Sequence, residues 1–188
     1  MNSERGSEER TIGIDLATVT LVSLVARIAW HLVSPSRDWP DTAIYLETGH
    51  ALLTTGRMSS GNYMPLYPIL IEIIGYKQIL TFQIILSALS AGLVYLVSLA
   101  LFRMRIAALF AALVFALHPI VIFYANMRLS ETVYVFLLLA ACLAFYRGRF
   151  ALGSVMFVAA ILIRPILDLA APFLIVAFCF ARGEAQVT

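Results

Sequence analysis

Residues 12–33, IGIDLATVTLVSLVARIAWHLV, decide the fold class of this chain. A helix that crosses the hydrocarbon core of a membrane needs about 20 mostly apolar residues, and this run supplies them. It is followed almost at once by Arg37-Asp-Trp-Pro-Asp-Thr-Ala-Ile-Tyr45, a polar and aromatic stretch that contains two acids. The order predicts a first helix that leaves the membrane and enters a loop able to build a functional site.

The composition of the whole chain also indicates a membrane protein. Of its 188 residues, 62% are hydrophobic and only 13% are charged, with a mean hydropathy of +0.93. Soluble domains carry roughly 25% charged residues, about twice as many. We therefore predict an all-α, polytopic membrane protein that forms a single transmembrane domain over residues 1–188, with membrane lipid and no nucleic acid as its surroundings.

Six apolar runs are long enough to be predicted as transmembrane helices. They cover about residues 12–33, 79–102, 106–124, 130–146, 150–163 and 166–181. His118-Pro119 lies inside the third run and predicts a kink there, because proline lacks the N–H that continues a helix. Cys142 and Cys179 both fall inside apolar runs without CxxC spacing, which predicts neither a metal site nor a redox pair.

Basic residues in short turns predict the orientation. Arg103-Met-Arg105 and Arg147-Gly-Arg149 form two such turns, and short cytoplasmic loops are enriched in Lys and Arg. Both termini are then cytoplasmic, and the chain is a multi-pass protein of the cell (inner) membrane. Residues 34–78 become a long first outer loop.

The outer loop carries its own helical pattern. Residues 41–55 have apolar and polar positions on an approximate helical period, which predicts an interfacial helix that ends at Gly56. A turn cluster, Ser59-Ser-Gly-Asn62, and an aromatic-proline segment, Tyr63-Met-Pro-Leu-Tyr-Pro68, follow this helix. Long loops with structure of their own are usually functional, so we expect the site here.

Asp38 and Asp41 are the first candidate catalytic residues. A carboxylate at the membrane–water boundary can take a proton from a hydroxyl or amine nucleophile as a general base. The alternative for Asp41, which follows Pro40, is that it caps the interfacial helix through a backbone N–H. The two roles are compatible.

Glu131 and two arginines are expected on the same side of the membrane. Glu131 opens the fourth predicted span, where the helix dipole favours an acid, and it can also add a second carboxylate to a shared cavity. Arg128 supplies a cation for a phosphate. Arg164, which precedes Pro165, either pairs with Asp168 or holds a phosphate through its planar guanidinium.

Several aromatic and basic residues have two interpretations each. Tyr63 and Tyr67, with Trp39, suit an aromatic belt at the membrane interface, and they also suit contact with a sugar. We include Tyr45 and His50 among the candidate substrate-binding residues. His50 has no metal-ligand spacing to the other histidines, so no metal ligand is assigned. Arg27 and His31, near the outer end of the first span, are expected to extend toward the interface.

Taken together, these features resemble the N-terminal half of the GT-C glycosyltransferases, in particular the bacterial branch related to protein O-mannosyltransferases and aminoarabinose transferases. The matching segments, in order, are Pro40-Asp-Thr-Ala-Ile-Tyr45, Leu52-Leu-Thr-Thr-Gly56, Tyr63-Met-Pro-Leu-Tyr-Pro68, Leu129-Ser-Glu131 and Arg164-Pro165. Thr42 stands where the family usually has a second acid. The resemblance covers about residues 12–181.

The resemblance implies a polyprenyl-phosphate-linked sugar as co-substrate and transfer on the outer face with inversion at the anomeric carbon. By this match Asp41 would be the base. Asp38 matches no family position, and we expect it to be a supporting acid. Glu131 would shape the acceptor side or assist the base, and Arg164, with Arg128 as a second candidate, would hold the donor phosphate. No cofactor is implied; a divalent metal stays open, although Thr42 argues against a metal-assisted variant. Family members continue for several more spans, which implies further chain or a second membrane subunit. The alternative function is a non-catalytic GT-C-like subunit that binds the lipid-linked sugar.

Overall fold

The computed structural model describes residues 2–34, 38–59 and 63–167, and within these ranges the chain forms helices and no strand. The all-α fold class is confirmed for this part of the chain. The helices are α1 (Asn2–Val33), α2 (Pro40–Thr55), α3 (Leu66–Ile74), α4 (Gln78–Phe102), α5 (Arg105–Leu117), α6 (Pro119–Ala125), α7 (Glu131–Tyr146) and α8 (Phe150–Ile163), followed by a 3₁₀ turn at Pro165–Leu167. Residues 168–181 of the sixth predicted span, with Asp168 and Cys179, lie outside the described residues, as does Arg37.

Two of the described helices are long and apolar enough to cross a membrane: the Arg10–Val33 part of α1, and α4. α5 and α6 make a third candidate if they are taken as one span, bent by 56° at a short break. Pro119 begins α6 directly after this break, so the kink predicted at His118-Pro119 is confirmed. α7 and α8 are apolar but have 16 and 14 residues, fewer than the roughly 20 that a full crossing needs.

α4 is the central helix and packs against α1, α5 and α7. The core between α1, α4 and α5 consists of residues with no exposed surface: Val19, Tyr95, Ala108 and Ala112. Small side chains let helix backbones approach closely, which is how helices associate without a hydrophobic driving force. At the beginning of α5 the contact is polar, because Arg105 donates to both carboxylate oxygens of Asp15 on α1, at 2.6 and 2.8 Å.

α2 and α3 form a helical pair outside this core. A helix is present over the predicted residues 41–55 as α2, one residue longer at its start, and Gly56 ends it in the left-handed conformation at φ 69°. α3 covers the end of the aromatic-proline segment and the apolar residues that directly follow it. Gly49 permits the close approach of the two helices, since a Cβ there would lie 2.2 Å from the Pro68 carbonyl oxygen.

A second core lies beneath this helical pair and joins it to the start of α7. Its buried members are Tyr45, Tyr67, Ile71, Ile79, Met127, Leu129, Val133 and Ile163. Residues 126–130, between α6 and α7, are buried throughout. This connecting segment therefore passes through the interior of the protein, and it brings Arg128 and Glu131 under α2.

Arg27 is not at the interface, so the expectation of an extended side chain was wrong. Its side chain is buried with 0% exposure, and it donates hydrogen bonds to Ser87 of α4 and to the Ala116 carbonyl of α5. His31, one turn further on, lies 3.0 Å from the side-chain oxygen of Asn126. Both residues point into the bundle because their polar partners are on other helices.

Candidate functional site

Tyr45 is the centre of the candidate site. It belongs to the buried face of α2, which also contains Thr42, Thr48 and Gly49. Its ring meets the rings of Tyr63 and Tyr67 edge-on, with centroid distances of 5.2 and 4.8 Å. The Tyr45 hydroxyl lies 3.4 Å from the Ser130 hydroxyl, next to the start of α7. We use the name tyrosine cluster for Tyr45, Tyr63 and Tyr67 together with the charged residues Asp38, Asp41, Arg128, Glu131 and Arg164.

Asp41 lies in the first turn of α2, but it is not the residue that caps the helix. The N-cap position is Trp39, and the Trp39 N–H donates to the Thr42 hydroxyl at 3.0 Å. The Asp41 carboxylate instead accepts a hydrogen bond from the Tyr63 hydroxyl at 3.1 Å, and its side chain is only half-buried. No arginine or lysine pairs with Asp41 among the described residues. It is therefore a carboxylate that is oriented but not neutralised.

Thr42 has a structural role that an acid could not take over easily. It is 1% exposed, and its hydroxyl donates to the Arg128 carbonyl at 3.2 Å while accepting from Trp39. An ionised carboxylate at this position would be buried without a cation, which is costly. A threonine rather than an acid at this position is thus consistent with the local packing.

Asp38 differs from Asp41 because it forms an ion pair. Arg128 donates to Asp38 at 2.7 Å, and the Tyr76 hydroxyl donates to the other carboxylate oxygen. The Arg128 guanidinium also stacks over the Tyr76 ring at 3.7 Å and donates to the Tyr76 carbonyl at 2.9 Å. These contacts between Asp38, Tyr76 and Arg128, called the clasp below, fix the beginning of α2 to the segment before α7. The Arg128 side chain is only 9% exposed, and its Nε and Nη1 both donate within this set of contacts.

Glu131 and Arg164 form a second ion pair, with 2.6 Å between Arg164 Nη1 and Glu131 Oε1. Glu131 begins α7 and Arg164 directly follows α8, so the pair joins two helix ends. Asp168, which the sequence offered as the partner of Arg164, lies outside the described residues. The second carboxylate oxygen of Glu131 is buried without a hydrogen-bond partner in the described part of the chain.

Charged groups from three segments of the chain act on the pKa of the Tyr45 phenol. Burial raises the pKa of the Tyr45 phenol above its usual value, and the hydrogen bond with Ser130 lowers it. The carboxylates of Glu131 and Asp41 raise this pKa, and Arg164 lowers it. Burial likewise raises the pKa of Tyr67 and of Tyr63. All three phenols therefore stay protonated at neutral pH, and the hydroxyls of Tyr63 and Tyr67 donate to Asp41 and Gln83.

Gln83 is a member of the site that sequence reasoning missed. It lies on α4 with no exposed surface, accepts a hydrogen bond from the Tyr67 hydroxyl at 3.4 Å and donates to the Leu129 carbonyl at 2.7 Å. Its signal in the sequence is a glutamine inside an apolar span, where an amide needs a partner. Tyr76 was missed as well, because nothing local distinguishes it from an interface tyrosine.

His50 is the predicted site residue that the structure does not bring to the tyrosine cluster. Its side chain is 70% exposed on the outer face of α2, and its Nδ1 lies 3.2 Å from the Glu72 carboxylate of α3. The described residues contain no group of three or more His, Cys, Asp or Glu side chains arranged to hold a metal ion. Among the described residues, the tyrosine cluster thus contains Asp41 without an ion-pair partner and the ion pairs Asp38–Arg128 and Glu131–Arg164. It also contains three tyrosine rings in edge-on contact.

Comparison with known proteins adds no relative: no protein-family model, no curated protein and no solved structure matches this chain.

Proposed function

We propose that this chain is a membrane glycosyltransferase of the GT-C type, which moves a sugar from a polyprenyl-phosphate donor to an acceptor on the outer face of the membrane. One observation carries the proposal: side chains from α2, from the start of α7 and from the end of α8 converge on Tyr45. These side chains include Asp41, a carboxylate without a cationic partner among the described residues, and Arg164, which pairs with Glu131. This is the set that proton removal and phosphate binding require.

The proposed topology has six spans, both termini in the cytoplasm and residues 34–78 outside. It is supported by the position of the basic turns. α4 runs from Gln78, near the tyrosine cluster, to the turn at Arg103, and α7 runs from Glu131 to the turn at Arg147. The two basic turns therefore lie at the end of the helices opposite to the cluster, as expected for a cytoplasmic side.

Asp41 is the proposed base. It takes the proton of the acceptor hydroxyl while the acceptor oxygen attacks the anomeric carbon from the side opposite to the phosphate, and polyprenyl phosphate leaves with the bonding electrons. Asp41 suits this role better than Asp38, because Asp38 already shares its charge with Arg128. Asp38 instead supports the site by holding the start of α2 in place. Tyr63 orients the Asp41 carboxylate.

Arg164 is the proposed holder of the donor phosphate. Its side chain is 33% exposed, whereas Arg128 is buried in its clasp, so a ligand reaches Arg164 first. A phosphate that binds Arg164 competes with Glu131 for the same guanidinium. Of Tyr45, Tyr63 and Tyr67, Tyr67 has no exposed surface and Tyr45 is nearly buried, so among these three only the partly exposed Tyr63 presents a ring edge to a sugar.

A non-catalytic subunit that binds the lipid-linked sugar is the second candidate, and one observation favours it. Both arginines of the cluster are paired with carboxylates, so neither is free for a phosphate in this arrangement. In this alternative the chain would hold the lipid only together with a second membrane subunit.

The test compares Asp41→Asn with Glu47→Gln, an exposed acid on the same helix. The full chain is reconstituted in proteoliposomes and given a panel of polyprenyl-phosphate monosaccharides, and the release of polyprenyl phosphate is measured. We expect Asp41→Asn to slow release by about 100-fold or more, as for a lost general base, and Glu47→Gln to leave it unchanged. Equal rates for Asp41→Asn and the unaltered chain would refute the role of Asp41. Lipid binding without release under all conditions would favour the non-catalytic subunit.

A further inference from the structure

α1 carries a series of polar residues that the proposed reaction does not use. Ser23, Arg27 and His31 follow one another at intervals of four residues along one side of the helix, and Asp15 lies two turns before Ser23, rotated by about 80° around the helix axis. Asp15 and Ser23 are buried, and Arg27 has no exposed surface. The series faces the broken pair α5–α6, which it contacts at the beginning of α5, at the end of α5 and at the end of α6.

Arg27 is the unusual member of this series. Its Nε donates to the Ser87 hydroxyl at 2.7 Å, and its Nη1 donates to the carbonyls of Ser23 and Ala116, both at 2.9 Å. All these acceptors are neutral, and no carboxylate pairs with Arg27 in the described part of the chain. Its Nη2 has no hydrogen-bond partner there. A guanidinium keeps its charge, and a charged side chain within a membrane helix faces polar partners inside the protein rather than lipid.

The break in the third candidate span explains why a cation is placed here. The last carbonyls of α5 have no partners within their own helix, and the dipole of α5 concentrates negative charge at that end. Pro119, the first residue of α6, has no N–H to offer. The Ala116 carbonyl, two residues before the break, is bound by Arg27 instead. The guanidinium thus replaces the water that would satisfy such a helix end at a protein surface.

α6 is connected on one side to α1 and on the other to the start of α2, beside the tyrosine cluster. Asn126, directly after α6, lies 3.0 Å from His31 and donates to the Arg27 carbonyl at 3.4 Å. The Phe123 ring of α6 meets Trp39 edge-on, with centroids 6.5 Å apart. Trp39 is the N-cap of α2, two residues before Asp41. A change in the angle between α5 and α6 would therefore move the first turn of α2.

We propose that Arg27 is a positioning residue, which sets the angle of the broken α5–α6 pair and, through Phe123 and Trp39, the place of Asp41. The inference rests on the proposed function only in treating Asp41 as the base; the mechanical coupling is independent of it. A lysine at position 27 retains a cationic donor for the end of α5. A glutamine retains a hydrogen-bonding group of lower polarity and removes the charge.

Trp39 itself is the reporter for the test. The chain has two tryptophans, so Trp30→Phe leaves Trp39 as the single emitter. In this background, with the full chain in detergent below its unfolding temperature, we expect Arg27→Gln to shift the Trp39 emission by a few nanometres to the red and to increase its quenching by acrylamide. Arg27→Lys should restore most of the original spectrum. The matched control is Asp15→Asn, which breaks a contact between α1 and α5 about 18 Å away along α1.

The control separates positioning from general stability. Asp15→Asn should lower the unfolding temperature and leave the Trp39 emission unchanged. If Arg27→Gln lowers the unfolding temperature but leaves the emission unchanged, or if Asp15→Asn shifts the emission equally, the proposal is overturned. Should Arg27→Gln fail to fold, Ser87→Ala removes only the acceptor of Nε and is expected to give a smaller shift in the same direction; an unshifted spectrum in that variant also overturns it. Sugar transfer is not measured, so a failed proposed function would leave this result intact.

Discussion

Glu131→Gln is the substitution that tests how the candidate site handles a phosphate. It keeps the size of the side chain and removes the charge that holds Arg164 at 2.6 Å. If the phosphate of the donor lipid competes with Glu131 for Arg164, the variant should bind polyprenyl phosphate more tightly than the unaltered chain does. It should also turn over more slowly if the carboxylate assists the acceptor side.

The size of the effect follows from the exposure of the pair. An exposed ion pair contributes about 0–1 kcal/mol, whereas removing one partner of a buried pair costs about 3–5 kcal/mol. Arg164 and Glu131 have 33% and 23% of their side-chain surface exposed, so solvent screens much of their attraction. A competing energy of about 1 kcal/mol is then reasonable, and it corresponds to roughly a fivefold gain in affinity, since about 1.4 kcal/mol is tenfold.

The assay titrates the purified full chain in nanodiscs with polyprenyl phosphate and measures the dissociation constant by calorimetry. Glu72→Gln is the matched control. It also replaces a charged carboxylate by a neutral amide, but the carboxylate it replaces pairs with His50 instead of Arg164. Arg164→Gln should lose most of the binding. Affinity in Glu131→Gln that equals or falls below that of Glu72→Gln, with both variants folded, would show that the lipid phosphate does not compete for Arg164.

Two further predictions concern the surroundings of the site. Tyr63→Phe removes the hydrogen bond to Asp41 but keeps the ring. A hydrogen bond to a charged group contributes about 1.5–3 kcal/mol, and solvent screens part of this one, so we expect the rate of sugar transfer to fall by up to roughly tenfold. An unchanged rate would argue against Asp41 as the base. Gly49→Ala places a Cβ 2.2 Å from the Pro68 carbonyl oxygen, so α2 and α3 must separate; thermal unfolding should show a loss of about 1–3 kcal/mol. Gly13→Ala, whose Cβ would meet nothing within 4 Å, should be neutral or stabilising, and similar losses for both variants would contradict the packing argument.

Much of the helical architecture could be read from local patterns. The apolar runs gave the positions of α4, α7 and α8 within one residue and the end of α1 at Val33, although α1 begins ten residues before its apolar run. The alternation after Pro40 gave α2 with its end at Gly56. His118-Pro119 gave the break between α5 and α6. Helix formation, glycine termination and proline kinks depend on residues close together in the chain, so a local pattern contains the needed information.

What only the tertiary structure decided is which charged groups meet. The sequence could not show which partners Arg128 and Arg164 have, since Arg128 contacts Asp38 and Tyr76 whereas Arg164 pairs with Glu131. It placed Arg27 at the membrane interface, whereas the polar acceptors on α4 and α5 draw that side chain inward. The sequence alone thus determined an all-helical, strongly apolar chain with an acidic segment after its first helix. Partner choice among the charges required the fold, because partners such as Arg128 and Asp38 stand 90 residues apart in the chain.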